Sequence, residues 1–145
     1  MQIRVVKLGS AQLKFSTLWV QAYHKRLPKN WNVSLDLYKS EKGFINFLSK
    51  SKNRSYICAL DQNGESYSSE SLSQKIVDLR SNLPVDMIVF IVGDSYGLSQ
   101  DLKDQCDEFI SFSSLTMPGE IAFLLLCEQI YRSYTISVGH PYHHD

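Results

Sequence analysis

Three stretches in the last third of this 145-residue chain hold residues whose types and spacing could do chemistry. Val92-Gly-Asp-Ser-Tyr-Gly97 carries two glycines, which permit positive φ and let backbone approach a ligand closely. It is neither GxGxxG nor a P-loop, so classical dinucleotide or nucleoside triphosphate binding has no support, and a plain strand-to-helix turn is the alternative. Ser113-Ser-Leu-Thr-Met-Pro118 is a polar loop running into an apolar segment, and its backbone groups need partners. An adenine-bearing ligand would supply them; the plainer alternative is Thr116 capping the next helix. The tail Gly139-His-Pro-Tyr-His-His-Asp145 gathers His140, His143 and His144. A metal site needs fixed geometry and further ligands, and no HExxH is present, so a His/Tyr tail that stacks on or hydrogen-bonds a base is the better reading. Arg132 follows Glu128 by four residues, the favourable order for a helical ion pair, with a phosphate as its other possible partner. A hydrolase has no support, because no Ser-His-Asp or Cys-His set has recognisable context.

These stretches must be positioned by the elements around them. Ile3–Leu8, Trp31–Tyr38, Ser55–Leu60, Met87–Val92 and Phe109–Phe112 read as strands, with Asp61–Gly64 a turn. Between them Gln12–Arg26, Glu41–Ser49, a helix opened by Ser69 as N-cap, and Leu98–Cys106 read as helices, followed by Glu120–Tyr134. In the first helix Phe15, Leu18, Trp19, Ala22 and Tyr23 form the apolar stripe. Ile121–Cys127 in the last is apolar all round, as in a helix buried on more than one face. Strand–helix alternation implies an α/β fold with a mostly parallel sheet covered on both faces, and ligands outside the carboxyl ends of its strands.

The length fits one domain, 1–145. No apolar run is long enough to span a bilayer, and the start lacks the apolar core of a signal peptide. Cys58, Cys106 and Cys127 show no paired spacing, as in reduced cytoplasmic thiols. The net charge is zero, yet residues 1–54 hold eleven Lys/Arg against two acids and the remainder four against thirteen. Such a split points to a polyanionic partner for one surface, unless the halves interleave in space.

Leu115-Thr-Met-Pro118, Glu128-Gln-Ile-Tyr-Arg132, Ile136 and His140-Pro-Tyr-His143 together resemble the C-terminus of the large-subunit ribosomal RNA pseudouridine N3-methyltransferases, small members of the knotted SPOUT class. Tyr23-x-Lys-Arg-Leu27, Leu60-Asp-x-x-Gly64 with Ser68-Ser69, and Gly93-x-x-x-Gly97-Leu-Ser99 extend the resemblance over nearly the whole chain. It implies a Rossmann-like sheet with a C-terminal trefoil knot. S-adenosylmethionine would bind there, held by Leu60, by Gly93, Asp94 and Gly97, and by Ser113, Ser114, Leu115, Thr116, Met117 and Pro118. It further implies a homodimer through the last helix and a pseudouridine substrate in ribosomal RNA of the assembled ribosome. Tyr142 and His143 would place the base as catalytic residues, and Lys25, Arg26, Arg132 and His140 would grip the RNA, in the cytoplasm, with no metal and no membrane. Three positions depart from the pattern: Asp94 replaces a glycine, Gly119 a histidine and Phe123 an arginine. The alternative is therefore a divergent knotted RNA- or ribosome-binding protein with weakened catalysis.

Overall fold

A computed structural model describes residues 1–9, 14–94 and 96–144, without the side chains of Lys14, Phe15 and Lys52. Five strands form one all-parallel sheet: β1 (Gln2–Leu8), β2 (Val33–Tyr38), β3 (Ser55–Ser66), β4 (Met87–Val92) and β5 (Glu108–Ser111), in the order β2-β1-β4-β3-β5. The helices are α1 (Lys14–Arg26), α2 (Glu41–Ser51), α3 (Ser69–Asn82), α4 (Gln100–Lys103) and α5 (Gly119–Ser137). The start expected for α1 at Gln12 lies outside the described residues.

The central strand explains the two layers. MIVFIV has a side chain for both faces, and period-2 alternation divides them. Ile88, Phe90 and Val92 join Ile3 and Val5 of β1 against α1, α3 and α5, through Val20, Leu72, Ile76, Leu126 and Ile130. Val89 and Ile91 join Val6 and Leu8 against α2 and α4, through Phe44, Leu48 and Leu102. Among the described residues no helix is long and apolar enough to cross a membrane.

The structure corrects several boundaries. The strand expected from Trp31 begins at Val33, because Trp31 closes a 3-10 turn and Asn32 takes a left-handed conformation (φ 49°). Trp31 is instead buried edge-on against Tyr134 at 5.6 Å, with the Arg80 guanidinium 4.6 Å from its ring. Ser68, not Ser69, caps α3: its hydroxyl accepts from Ser71 N–H at 3.0 Å, while Ser69 donates to Gln129 at 2.8 Å. The apolar stripe expected on α1 is only partly a core stripe. Val20 and Ser16 are buried, whereas Leu18 and Trp19 are 67% and 57% exposed, since α1 meets the sheet and α5 with its other side.

Candidate functional site

At the carboxyl ends of β4 and β5, beside residues Leu60 to Asn63 in the middle of β3, lies a cleft of about 430 Å³. Its walls come from the three loops that parallel topology brings together at that end of a sheet. β3 supplies Leu60 to Asn63, the β4 turn supplies Gly93, Asp94, Tyr96 and Gly97, and the segment after β5 supplies Phe112, Ser113, Leu115, Thr116 and Met117. Ser114 and Pro118, which the resemblance also assigned to the cofactor, do not line it.

The first loop is part of a strand rather than the simple turn expected at Asp61–Gly64. Leu60 and Glu65 both align with Ile110, so the intervening residues bow out of the ladder. The bow depends on Gly64, where a β-carbon would lie 2.6 Å from the Phe109 backbone. Ser111 Oγ ties the bow down by donating to the Gln62 carbonyl at 3.0 Å, and Thr116 Oγ1 donates to Gln62 Oε1 at 3.3 Å. Thr116 therefore bridges two cleft loops and does not cap α5, whose N-cap position is Pro118 with no side-chain cap.

In the second loop Gly97 has φ +77° and donates its N–H to the Asp94 carbonyl at 3.0 Å. Asp94 Oδ1 accepts the Tyr96 N–H at 2.9 Å. The carboxylate thus folds its own turn, a local use of Asp that makes a second glycine unnecessary. α5 comes very close to this turn: a β-carbon on Gly119 would stand 3.0 Å from the Gly93 carbonyl oxygen.

Tyr142 and His143 are brought together, but on the flank of α5 and away from the cleft. Tyr142 Oη donates to Glu128 Oε1 at 2.9 Å and lies 3.4 Å from Tyr23 Oη. Its ring meets Tyr131 edge-on at 4.8 Å and has the Arg132 guanidinium 4.8 Å above it. Arg132 forms the expected i, i+4 pair with Glu128 at 2.6 Å and reaches His143 Nδ1 at 3.2 Å, while His143 Nε2 faces Glu70 at 2.9 Å. Burial, with the Tyr23 and Glu128 hydrogen bonds, pushes the Tyr142 phenol well above its ordinary value, so it stays a proton donor at neutral pH. Lys25 and Arg26 are exposed at the end of α1, with Arg26 5.8 Å from the Tyr23 ring. His140 is exposed and accepts the Tyr142 N–H at 3.1 Å. None of these six residues lines the cleft. Nine residues of α5 separate Gly119 from Glu128, roughly 13 Å along the axis. Among the described residues no group of three His, Cys, Asp or Glu could hold a metal ion.

Two features were not anticipated. Glu108 accepts from Tyr56 at 2.9 Å, Tyr67 at 2.5 Å and Lys75 at 2.8 Å, bracing β5 to β3 and α3 behind the cleft. Their wide separation in sequence hides this set. The second is a cavity of about 230 Å³ on the other side of the first turn of α5, lined by Lys7, Ser16, Thr17, Val20, Gln21, Leu35, Leu37, Glu120 and Phe123. The phase of β1 was a signal for it, because Lys7 follows Ile3 and Val5 on the core-facing side and is only 4% exposed. Phe123, where an arginine was expected, is a wall of this cavity, and the buried cation there is Lys7.

Apolar walls (Leu60, Ile110, Phe112, Met117) beside carboxylates (Asp61, Asp94) suit the cleft to a ligand with a flat ring and a cationic group. Residues 1–143 match the family described as Predicted SPOUT methyltransferase. The chain is 35% identical to "Ribosomal RNA large subunit methyltransferase H" of Clostridioides difficile (strain 630), over 99% of both chains. It is 34% identical to the protein of the same name from Streptococcus uberis, again over 99% of both. Among solved structures, a probable methylase family protein from Haemophilus influenzae Rd KW20 superposes with TM-score 0.55 at 12% identity, over 94% of this chain. The SpoU methyltransferase AviRb from Streptomyces viridochromogenes, in complex with AdoMet, superposes with TM-score 0.52 at 9% identity, over 91%. The chain spans 66% and 57% of those two structures' own lengths.

Proposed function

The chain belongs to the SPOUT methyltransferase family, and from that premise we propose that it methylates N3 of a pseudouridine in large-subunit ribosomal RNA, with S-adenosylmethionine as donor. The observation that carries this reading is the cleft itself. Its three loops are the ones the sequence motifs singled out, and the full-length relatives are named as ribosomal RNA methyltransferases.

The residues present fit the cofactor. Leu60, Ile110, Phe112 and Met117 would enclose the adenine, and the backbone at Gly93 and Gly97 would pass close to it. Asp94 or Asp61 would face the ammonium. When bound, the cofactor supplies a methyl group on a sulfonium. The protein's own task is positioning, since N3 of the base is a weakly acidic imide that must be held in line.

Tyr142 and His143 would place that base, and one chain does not bring them to its own cleft. We infer a homodimer in which the tail of one protomer completes the cleft of the other. Leu18, Trp19, Ile121 and Val138 are exposed apolar side chains on α1, α5 and just beyond it, which a second copy would cover. Phe123, Leu126 and Cys127 are already used by the chain's own core, so only part of the apolar run of α5 is available. Lys25, Arg26, Arg132 and His140, clustered near the tail, would meet RNA phosphates. The protein would act as one domain in the cytoplasm, where the ribosome is.

Mass spectrometry of ribosomal RNA from a deletion strain is the test. Loss of one methylated pseudouridine is expected, restored by the wild-type gene. Persistence of every modification would refute the reading.

A further inference from the structure

We propose that Lys103 holds the carboxylate of the cofactor's methionine moiety, so that the cleft selects a ligand carrying an intact amino acid. The inference rests on the S-adenosylmethionine reading. It gives a partner to the one charge of that ligand which Asp61 and Asp94 cannot serve.

The position of Lys103 follows from the residues around it. Ser99 caps α4, its hydroxyl accepting the Leu102 N–H at 3.2 Å. Glu41 Oε1 accepts the Ser99 N–H at 2.9 Å, which ties that cap to the start of α2. Leu102 is fully buried in the core shared with α2. Lys103 comes next, and its own N–H donates to the Ser99 carbonyl at 3.0 Å. Successive helical side chains point about 100° apart. With Leu102 fixed in the core, Lys103 is turned aside into the wall of the cleft, next to Leu98. It is half-buried there, and among the described residues no ion pair includes it.

The charges of the wall match those of the ligand sign for sign. Asp61, Asp94 and Lys103 are the charged residues of the described lining. S-adenosylmethionine carries a sulfonium, an ammonium and a carboxylate. Two cations thus meet two carboxylates, and the one anion meets an ammonium. Without Lys103 the ligand carboxylate would lose water and face only like charge, and both effects are unfavourable. The lysine offers three donors and a positive charge, enough for a charge-assisted hydrogen bond. An RNA phosphate is the competing claim on this cation. Half-burial in the wall, against the full exposure of Lys39 and Lys42, favours the smaller ligand.

The test is calorimetry of the full-length protein with S-adenosylmethionine and with decarboxylated S-adenosylmethionine, which differ only in the carboxylate. The wild type should bind the intact form about tenfold tighter. Lys103→Met and Lys103→Gln should each weaken the intact form by about that factor without weakening the decarboxylated one. Lys103→Arg should keep the preference. Equal binding of the two ligands by the wild type would overturn the assignment. So would a loss that is equal for both ligands, which would mark Lys103 as structural. Unchanged affinity for the intact form together with weaker ribosome binding would hand the residue to an RNA phosphate and overturn it too. A wild type that binds neither ligand would instead strike the cofactor reading on which the proposal stands, and the proposal with it.

Discussion

Tyr142 donates its phenolic hydrogen to Glu128 at 2.9 Å, nine residues along α5 from the cleft-lining Gly119, and Arg132 holds the same carboxylate at 2.6 Å. The tail is thus anchored on α5 by a charge-assisted set, the stronger kind of hydrogen bond. Tyr142→Phe and His143→Ala should each lower methylation by tenfold or more while leaving S-adenosylmethionine binding intact. Full activity in both variants, measured on ribosomes from the deletion strain, would remove the tail from the catalytic machinery.

Gly119 and Gly93 make the next test. A side chain at 119 must displace the Gly93 carbonyl or the start of α5, and such overpacking costs about 1–3 kcal/mol. Gly119→Val should weaken S-adenosylmethionine binding by roughly tenfold or more. Calorimetry checks it, and an unchanged dissociation constant would separate this contact from the cofactor site.

Gly64 presses its backbone against β5, closer than any β-carbon can approach. Gly64→Ala should destabilise the protein by more than ~1 kcal/mol, because neighbouring backbone has to move. Thermal unfolding should show a drop of several degrees, accompanied by weaker cofactor binding as the Gln62 bow shifts.

Glu108 gives a pH-dependent prediction. Burial alone would raise its carboxyl, but hydrogen bonds from Lys75, Tyr67 and Tyr56 hold it below its ordinary value. Burial alone would lower Lys75, but the Glu108 hydrogen bond and charge raise it. The stabilisation from Glu108 is therefore present above the unfolded carboxylate value of about 4.3 and is lost as pH falls through the folded one. That from Lys75 is present below about 10.4 and is lost as pH rises through its folded value. Glu108→Gln should cost roughly 1–2 kcal/mol at pH 7, or about 5 °C in melting temperature. The gap between wild type and variant should close below pH 4, and a gap independent of pH would mean packing rather than charge.

Trp19, more than half exposed beside Leu18, tests the dimer. Trp19→Asp should shift sedimentation equilibrium to monomer and abolish methylation, with the monomer still folded. A dimer that persists would place the interface elsewhere.

Much of this was legible in the residues alone. The continuous apolar run MIVFIV and the helical spacing in α1 and α3 are local signals, and they located most elements to within a few residues, although β3 runs six residues past the expected Leu60 and the helix expected over Leu98–Cys106 shrinks to Gln100–Lys103. The cleft was legible too, because parallel strands put their following loops at one end and the motifs lay in those loops. Caps and edges were less so: Ser68 and Ser69 are equivalent as letters, and only the position of Gln129 across the α3–α5 contact assigned them different partners. Chain order determined which residues follow which strand. Tertiary structure alone decided that Tyr142 and His143 meet Glu128, Arg132 and Glu70 rather than the cleft, and that Lys7 shares a cavity with Phe123. The physical reason is the same for both: contacts between residues more than ten positions apart depend on how chain segments pack on one another, and no local periodicity carries that information.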